Sequence, residues 1–401
     1  MRLLFINRFF YPDRSATARL LTDLAEDLTA SGIAVTVITG RVGYLEIDHL
    51  QPHEACYQGI IVRRVWSTRF GREFLIGRLA DCLTFLISAG WAVIRCSGVD
   101  TLVVLTDPPM LSFLAAWLGR IKGWKTICWL QDVFPENAVQ AGLLADRWPA
   151  RLLARLVRWS LRTSDRVIVV GRCMERRMLR AGLSASRLTR IPNWDDGKNL
   201  APVASEQNWF RTAHGLDGSL VVMYSGNLGL MHDANSLMRV IRALHAMPEI
   251  CFVFMVYGKG KARLEQWARR EGLTKLRFID YQNREHLSYS LSAGDLHLVS
   301  LRDGMEGLSV PSKVYGIMAV GRPVVFIGPE ESEVAAVVRE ANCGEVHPPS
   351  EPDKAAAGIR NLLLERERRE LLGQAGRRYF EAMLDKPHAL ERFKKVFEEL
   401  L

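Results

Sequence analysis

Apolar residues in this chain fall into two alternating patterns. Short runs without polar interruption read as buried strands, and longer stretches with apolar spacings of three and four read as amphipathic helices. Leu3–Asn7 is the first predicted strand. A loop, Arg8–Arg14, leads to a helical pattern over Ser15–Ala30, where Leu20, Leu21, Leu24 and Leu28 share one face. Gly32 ends it, and Ile33–Thr39 is the next strand. A strand–helix–strand unit of this kind opens a parallel, doubly wound sheet. Strands are predicted again at Thr101–Leu105, Lys125–Leu130, Arg166–Val170 and Leu188–Ile191. Helices are predicted after Pro108-Pro109, near Ala150–Arg162 and over Met174–Ala181.

The rhythm then restarts. Strands are expected at Val221–Tyr224, Phe252–Tyr257, Leu276–Ile279, Leu296–Ser300 and Val324–Ile327. Helices are expected at Asn235–His245, Lys261–Glu271 and Ser312–Val320, with two more closing the chain. The stretch Asn193–Gly218, rich in Gly, Pro, Asn and Asp, separates the halves and reads as a hinge. The fold class is α/β, with two doubly wound domains. The expected boundaries are 1–195 for the first domain, 196–218 for the linker and 219–380 for the second domain. Residues 381–401 form a last helix that packs back on the first. In such folds ligands bind at the carboxyl ends of the strands, so a cleft between the domains is expected.

Length and composition agree with this division. The chain has 401 residues, 48% hydrophobic and 24% charged, which suits two or three globular domains and excludes wholesale disorder. Seven scattered cysteines without a Cys-x-x-Cys pair fit neither a disulfide framework nor a zinc cage, and a reducing compartment is expected. The apolar start is too short for a signal segment. Charge is uneven: residues 1–200 carry 27 Lys and Arg against 18 Asp and Glu, whereas residues 201–401 carry 26 of each. The entire +9 excess lies in the first half, which suggests an anionic partner.

Missing motifs narrow the chemistry. No Gly-x-Gly-x-x-Gly follows the first strand, no P-loop is present, and no Asp-x-Asp pair could hold a metal against a diphosphate. A bound diphosphate would need cations, backbone N–H groups and helix N-termini. Candidates follow strands of the second half: Ser225-Gly226-Asn227-Leu228-Gly229, Gly258-Lys259-Gly260, and Gly307 to Lys313. Lys313 stands in the first turn of a predicted helix, where its charge opposes the helix dipole, and a bound anion would account for it.

Together these motifs carry a family resemblance. Phe9-Phe10-Tyr11-Pro12, Gln131-Asp132-Val133-Phe134-Pro135-Glu136, Ser164 to Ile168, Ile191 to Asp196, Tyr224 to Gly229, and Pro311-Ser312-Lys313 through Gly321-Arg322-Pro323 occur in order along nearly the whole chain. The sequence resembles glycosyltransferase family four with the GT-B fold, especially bacterial members that build surface polysaccharide on a lipid carrier. The resemblance implies two Rossmann-like domains and metal-independent, retaining transfer of a hexosyl or N-acetylhexosaminyl group. The donor would be a nucleotide sugar, UDP-linked by expectation. The acceptor would be a polyprenyl-diphosphate-linked saccharide in O-antigen, capsule or exopolysaccharide assembly. No cofactor is implied.

Catalytic roles are expected for Asp132, Lys313 and Glu306. Donor contacts are expected from Gly226, Asn227, Lys259, Arg302, Ser309, Val310, Pro311, Ser312 and Lys313, and acceptor-loop roles from Tyr11 and Ser15. The chain departs from the family pattern in several places. Leu308 and Gly316 stand where the family has two glutamates, Asn227 where it has an arginine, and Gln131 where it has a histidine. Those losses leave open a GT-B nucleotide-sugar 2-epimerase or a catalytically weak binding subunit.

The basic excess has one conspicuous location. Arg147, Arg151, Arg155, Arg158 and Arg162 recur at spacings of three and four on a predicted helix that also carries Trp148 and Trp159. Such a helix suits an anionic bilayer surface. A second segment, Phe70–Arg95, contains the uncharged run Cys82–Ile94, too short to span and better suited to shallow insertion. Nucleic acid is not expected as a partner, since no recognition motif accompanies the charge. The expected location is the inner face of the bacterial cytoplasmic membrane.

Overall fold

A computed structural model describes residues 1–13, 15–44, 50–71, 75–280 and 282–400; the side chains of Leu75 and Lys259 lie outside the described set. The chain divides into two compact units, one of Met1–Pro192 with Leu390–Leu401, the other of Asn193–Ala389.

The first unit is built on β1 (Arg2–Ile6), β2 (Ala34–Gly40), β3 (Glu54–Tyr57), β4 (Ile60–Val65), β5 (Thr101–Val104), β6 (Lys125–Leu130), β7 (Arg166–Val169) and β8 (Leu188–Arg190). Their order is β3-β4-β2-β1-β5-β6-β7-β8, parallel throughout except for the antiparallel β3–β4 pair. Leu3, Leu4, Phe5 and Ile6 of β1 are all buried, as a central parallel strand covered on both faces requires. Right-handed crossovers running in opposite directions from β1 cover opposite faces of the sheet. Helix Ala16–Ala30 therefore lies on one face. Helices Leu75–Arg95, Leu111–Lys122 and Trp148–Thr163 lie on the other, where Leu114 packs on Gly90 and Phe113 meets Trp159 at 5.7 Å between ring centroids.

Residues Leu390–Leu401 close the first face. Phe393 sits 4.7 Å from Trp129 of β6, Phe397 sits 6.3 Å from Phe5 of β1, and Lys394 pairs with Asp27 at 2.7 Å. The second unit holds β9 (Leu220–Asn227), β10 (Ile250–Tyr257), β11 (Leu276–Phe278), β12 (Leu296–Ser300), β13 (Val324–Ile327) and β14 (Gly344–His347), in the all-parallel order β11-β10-β9-β12-β13-β14.

Three expectations need correction. Residues 196–218 are not a solvated linker: Leu200, Asn208 and Phe210 are buried, and Arg211 donates to the carbonyls of Ala293, Leu216 and Ser219 within the second unit. The β3–β4 hairpin and β14 were not expected. The hairpin turns at Gln58-Gly59, both with positive φ, as a two-residue turn matching strand twist demands; Gln in place of Asn or Asp hid it. The chain closes with four helices after β13 rather than two, at Glu333–Glu340, Pro352–Leu364, Arg366–Tyr379 and Lys386–Glu398.

Each sheet reverses its winding once, between β1 and β5 in the first unit and between β9 and β12 in the second. Loops leaving such a switch point diverge and open a crevice. Because Phe393 fills the space over β6 from a distant part of the chain, Phe393→Ala should destabilise the first unit by about 3–5 kcal/mol, the usual cost of emptying a buried phenyl site. Urea melts of the variant check this, and an unshifted midpoint would show that the helix packs without stabilising.

Candidate active site

The switch point of the second unit gathers three loops. Strand β9 ends at Gly226-Asn227, β10 ends at Tyr257-Gly258, and a loop from Leu301 to Ser312 follows β12. Gly226 has φ +101° and Gly258 φ +92°, a region where side chains are strained. A Cβ on Gly258 would stand 2.4 Å from Asn227 Oδ1, and one on Gly260 would stand 2.4 Å from the Leu228 carbonyl oxygen. Glycine at these positions lets the two strand-end loops nest. The N–H groups of Leu228 and Gly260 close the nest on the Tyr257 and Leu228 carbonyls, both at 3.0 Å.

Lys313 is the first residue of the short helix Lys313–Ala319 and reaches across this switch point. Its Nζ donates to the Asn227 carbonyl at 2.9 Å and lies 3.8 Å from the centroid of the buried Tyr224 ring. Burial withdraws the ammonium from water and holds its pKa well below the ordinary lysine value. A carbonyl dipole and an aromatic face partly replace water, and no carboxylate of the described residues forms an ion pair with it.

His232, which the sequence analysis did not single out, stands in the same neighbourhood. Its Nδ1–H donates to the Ser300 carbonyl at 2.8 Å, and its ring lies edge-on to Tyr224. Burial, then the Lys313 charge, lower its pKa to about 3, so the ring is neutral at physiological pH. A histidine between a glycine loop and the helix-capping Asp233 was the available signal.

The other expected residues are placed less uniformly. Ser309, Val310 and Pro311 are buried on the segment leading to Lys313, and Ser312 caps its helix by position without a side-chain hydrogen bond. Arg302 is exposed and donates to the Leu230 carbonyl at 3.1 Å, so its guanidinium does not join the Lys313 cluster. Glu306 is half-buried, and its charge helps burial to raise the pKa of Asp303. No ion pair links it to Lys313 among the described residues. The Lys259 side chain lies outside the described residues.

Gly316 has a physical reason. A Cβ there would stand 3.0 Å from Asp195 Oδ2, so the carboxylate of Asp195 occupies the space a side chain would need.

In the first unit, loops after β1, β5 and β6 meet. The Arg8 N–H donates to the Asp107 carbonyl at 2.7 Å and that of Asp132 to Thr106 Oγ1 at 3.3 Å, which puts Asp132, half-buried, at the switch point of that sheet. Tyr11 lies elsewhere, stacked on Tyr57 at 3.8 Å. Ser15 is the residue before helix Ala16–Ala30; its N–H donates to Asp13, and its buried Oγ caps nothing.

The basic helix also differs from expectation. Arg147, Trp148 and Arg155 are exposed. Arg151 pairs with Asp146 at 3.2 Å, Arg158 donates to the Ala154 carbonyl, Arg162 donates to the Ala181 carbonyl, and Trp159 leans on Phe113. Three of the five arginines are therefore already engaged.

Comparison with known proteins now places the chain. Residues 15–194 match the family model of the glycosyl transferase 4-like domain, and residues 206–379 match that of glycosyl transferases group 1. The chain is thus built of a glycosyl transferase 4-like domain followed by a glycosyl transferases group 1 domain. It is 30% identical over 259 residues to the probable glycosyltransferase WbjE of Pseudomonas aeruginosa, covering 64% of each protein. It is 29% identical to the putative colanic acid biosynthesis glycosyl transferase WcaI of Escherichia coli, covering 69% of this chain and 68% of the relative. Among solved structures, sucrose-phosphate synthase from Thermosynechococcus elongatus superposes with a TM-score of 0.77 at 16% identity, covering 100% of this chain and 99% of that one. HepE of Anabaena, in complex with UDP-glucose, superposes with 0.74 at 15% identity over the full length of both. These likenesses establish the GT-B fold.

The nested glycines give a direct test. Gly258→Ala should cost about 1–3 kcal/mol more than Gly272→Ala, since both have positive φ but only Gly258 meets a neighbour within 4 Å. Equal losses in urea melts would mean that Asn227 moves aside freely.

Proposed function

We propose that this protein transfers a sugar from a nucleoside-diphosphate donor to a saccharide carried on a polyprenyl diphosphate, with retention at the anomeric carbon and without a metal ion. One observation carries the reading: Lys313 presents a desolvated amine, with no carboxylate of the described residues in an ion pair with it, at the switch point of the second sheet. A diphosphate seated there would supply the missing negative charge. As the bond between the anomeric carbon and the diphosphate oxygen breaks, charge grows on that oxygen, and a preorganised cation in a dry site stabilises it. The acceptor hydroxyl bonds to the same carbon, and its proton leaves with the diphosphate. The UDP-glucose held by HepE supports a uridine donor. WcaI, described as a colanic acid biosynthesis enzyme, supports a surface-polysaccharide product. Exposed Arg147, Arg155 and Trp148 support work at an anionic membrane surface.

Lys313→Ala should weaken nucleoside-diphosphate binding by about 1.5–3 kcal/mol, the range for a charge-assisted contact. The sign of its pH dependence follows from the lowered pKa. Between that value and the ordinary lysine pKa the free protein holds Lys313 neutral, so binding an anion takes up a proton and affinity falls as pH rises. Calorimetry in buffers of different ionisation enthalpy should show this uptake in the wild type and not in the variant. Identical affinity and proton balance in the two would remove Lys313 from the site. EDTA should leave transfer unchanged; activity lost in chelator and restored by Mg²⁺ or Mn²⁺ would contradict the metal-free step. Incubating nucleotide sugars with and without lipid-linked acceptor separates transfer from epimerisation.

A further inference from the structure

Helix Leu75–Arg95 has two faces of opposite fate. Phe85, Ala89 and Val93 are wholly buried against the sheet. On the other side Ile76, Leu79, Leu83, Ile87, Trp91 and Ile94, at spacings of three and four, are exposed, with Ile76 at 82% and Ile87 at 64%. The apolar stripe thus runs the length of the helix with no covering element among the described residues. It continues onto the adjacent helix Leu111–Lys122, where Trp117 and Ile121 are more than half exposed. Trp148 and Leu152 extend it onto the third helix. Contiguous apolar surface on this scale marks an interaction site.

Charge decides the occupant. Across the three helices eight Lys and Arg residues accompany a single carboxylate, Asp81, and that carboxylate is buried. The exposed face is therefore apolar along its centre and cationic at its margin. Arg95 lies 4.8 Å from the Trp91 ring at one end, and Arg78 stands near the other. An apolar stripe with a cationic margin and interfacial tryptophans complements an anionic bilayer, whose headgroups are negative and whose acyl region is apolar.

Length alone would let this helix cross: Ile76–Arg95 is long and apolar enough to span. Its inner face forbids it. The Asp81 carboxylate accepts from Thr68 Oγ1 at 2.8 Å and from the N–H groups of Phe70 and Gly71 at 3.0 and 3.2 Å, and Arg8 pairs with it at 3.7 Å. Crossing would strip these partners from a buried charge and pull Phe85 from the core. We propose that helix Leu75–Arg95, with the flanking edge of Leu111–Lys122, beds in the plane of an anionic bilayer, its stripe reaching the acyl boundary. The inference deepens the membrane reading above and rests on it, but assigns the attachment to apolar insertion rather than to arginine attraction alone.

The two contributions separate by salt. At about 0.5 M salt the screening length is roughly 4 Å, so charge attraction fades while apolar insertion persists. Wild type should cosediment with vesicles of phosphatidylcholine and phosphatidylglycerol, retain a large share of that binding in high salt, and show tryptophan quenching by bromine-labelled acyl chains. Leu83→Gln with Ile87→Gln should lower the salt-resistant partition roughly tenfold or more, and Trp91→Phe should reduce the quenching. Arg147→Gln with Arg155→Gln should lower only the salt-sensitive part. Nucleoside-diphosphate affinity, measured alongside, reports independently on the donor site and on correct folding. Binding that washes off completely in salt, without quenching, would overturn the inference while sparing the arginine reading. No vesicle binding at all would end both. A concentration-dependent dimer abolished by the Gln pair would assign the stripe to a second copy instead.

Discussion

A lysine ammonium taken out of water, with no carboxylate of the described residues paired to it, is expensive to maintain, and the architecture around Lys313 is arranged to bear that cost. The Asn227 carbonyl and the face of Tyr224 offer negative potential without a full charge. His232 stays neutral, so it adds no second cation. Gly226 leaves room for the lysine stem, since even a Cβ there would stand only 3.5 Å from Lys313 Cε. Gly258 and Gly260 let the neighbouring loop close on the Asn227 segment that supplies the carbonyl. A carboxylate in this place would have satisfied the lysine permanently and competed with any incoming anion. Leaving the charge half-satisfied keeps the site stable enough to fold and receptive to a phosphate.

Much of this was legible in the sequence, and the reasons differ by element. Strand–helix alternation is a local pattern, so both sheets and the glycine loops at their ends could be read directly. Lys313 betrayed itself by an unfavourable place in a helix. The role of the Tyr224 ring could not be read, because nothing local distinguishes a core tyrosine from one that faces a cation. The reason for Gly316 was equally hidden: only the fold brings Asp195 against it, across more than a hundred residues. The segment 196–218 looked like a linker by composition, yet Leu200, Phe210 and Leu216 are buried and Arg211 is locked into three carbonyls of the second unit. Composition reports average polarity, whereas packing depends on where the apolar residues point.

The same limit applies to the two amphipathic helices of the first unit. Regular arginine spacing drew attention to Trp148–Thr163, but hydrogen bonds within the protein already occupy much of that charge. Leu75–Arg95 is apolar almost all round, so its sequence could not say which stripe faces the sheet. One buried acid resolves the question: Asp81, fixed by Thr68, Phe70 and Gly71, sets the helix rotation and thereby which residues remain outside.

The return of residues Leu390–Leu401 to the first unit has a consequence for biosynthesis. Phe393 and Phe397 complete a core whose other members, Phe5 and Trp129, leave the ribosome far earlier. About 200 residues of the second unit must be translated between Pro192 and this last piece. At about 5–20 residues per second, the nascent first unit waits roughly 10–40 s with part of one face of its sheet, around Phe5 and Trp129, uncovered. During that interval its aromatic surface is open to chaperones, and to neighbouring nascent chains on the same message.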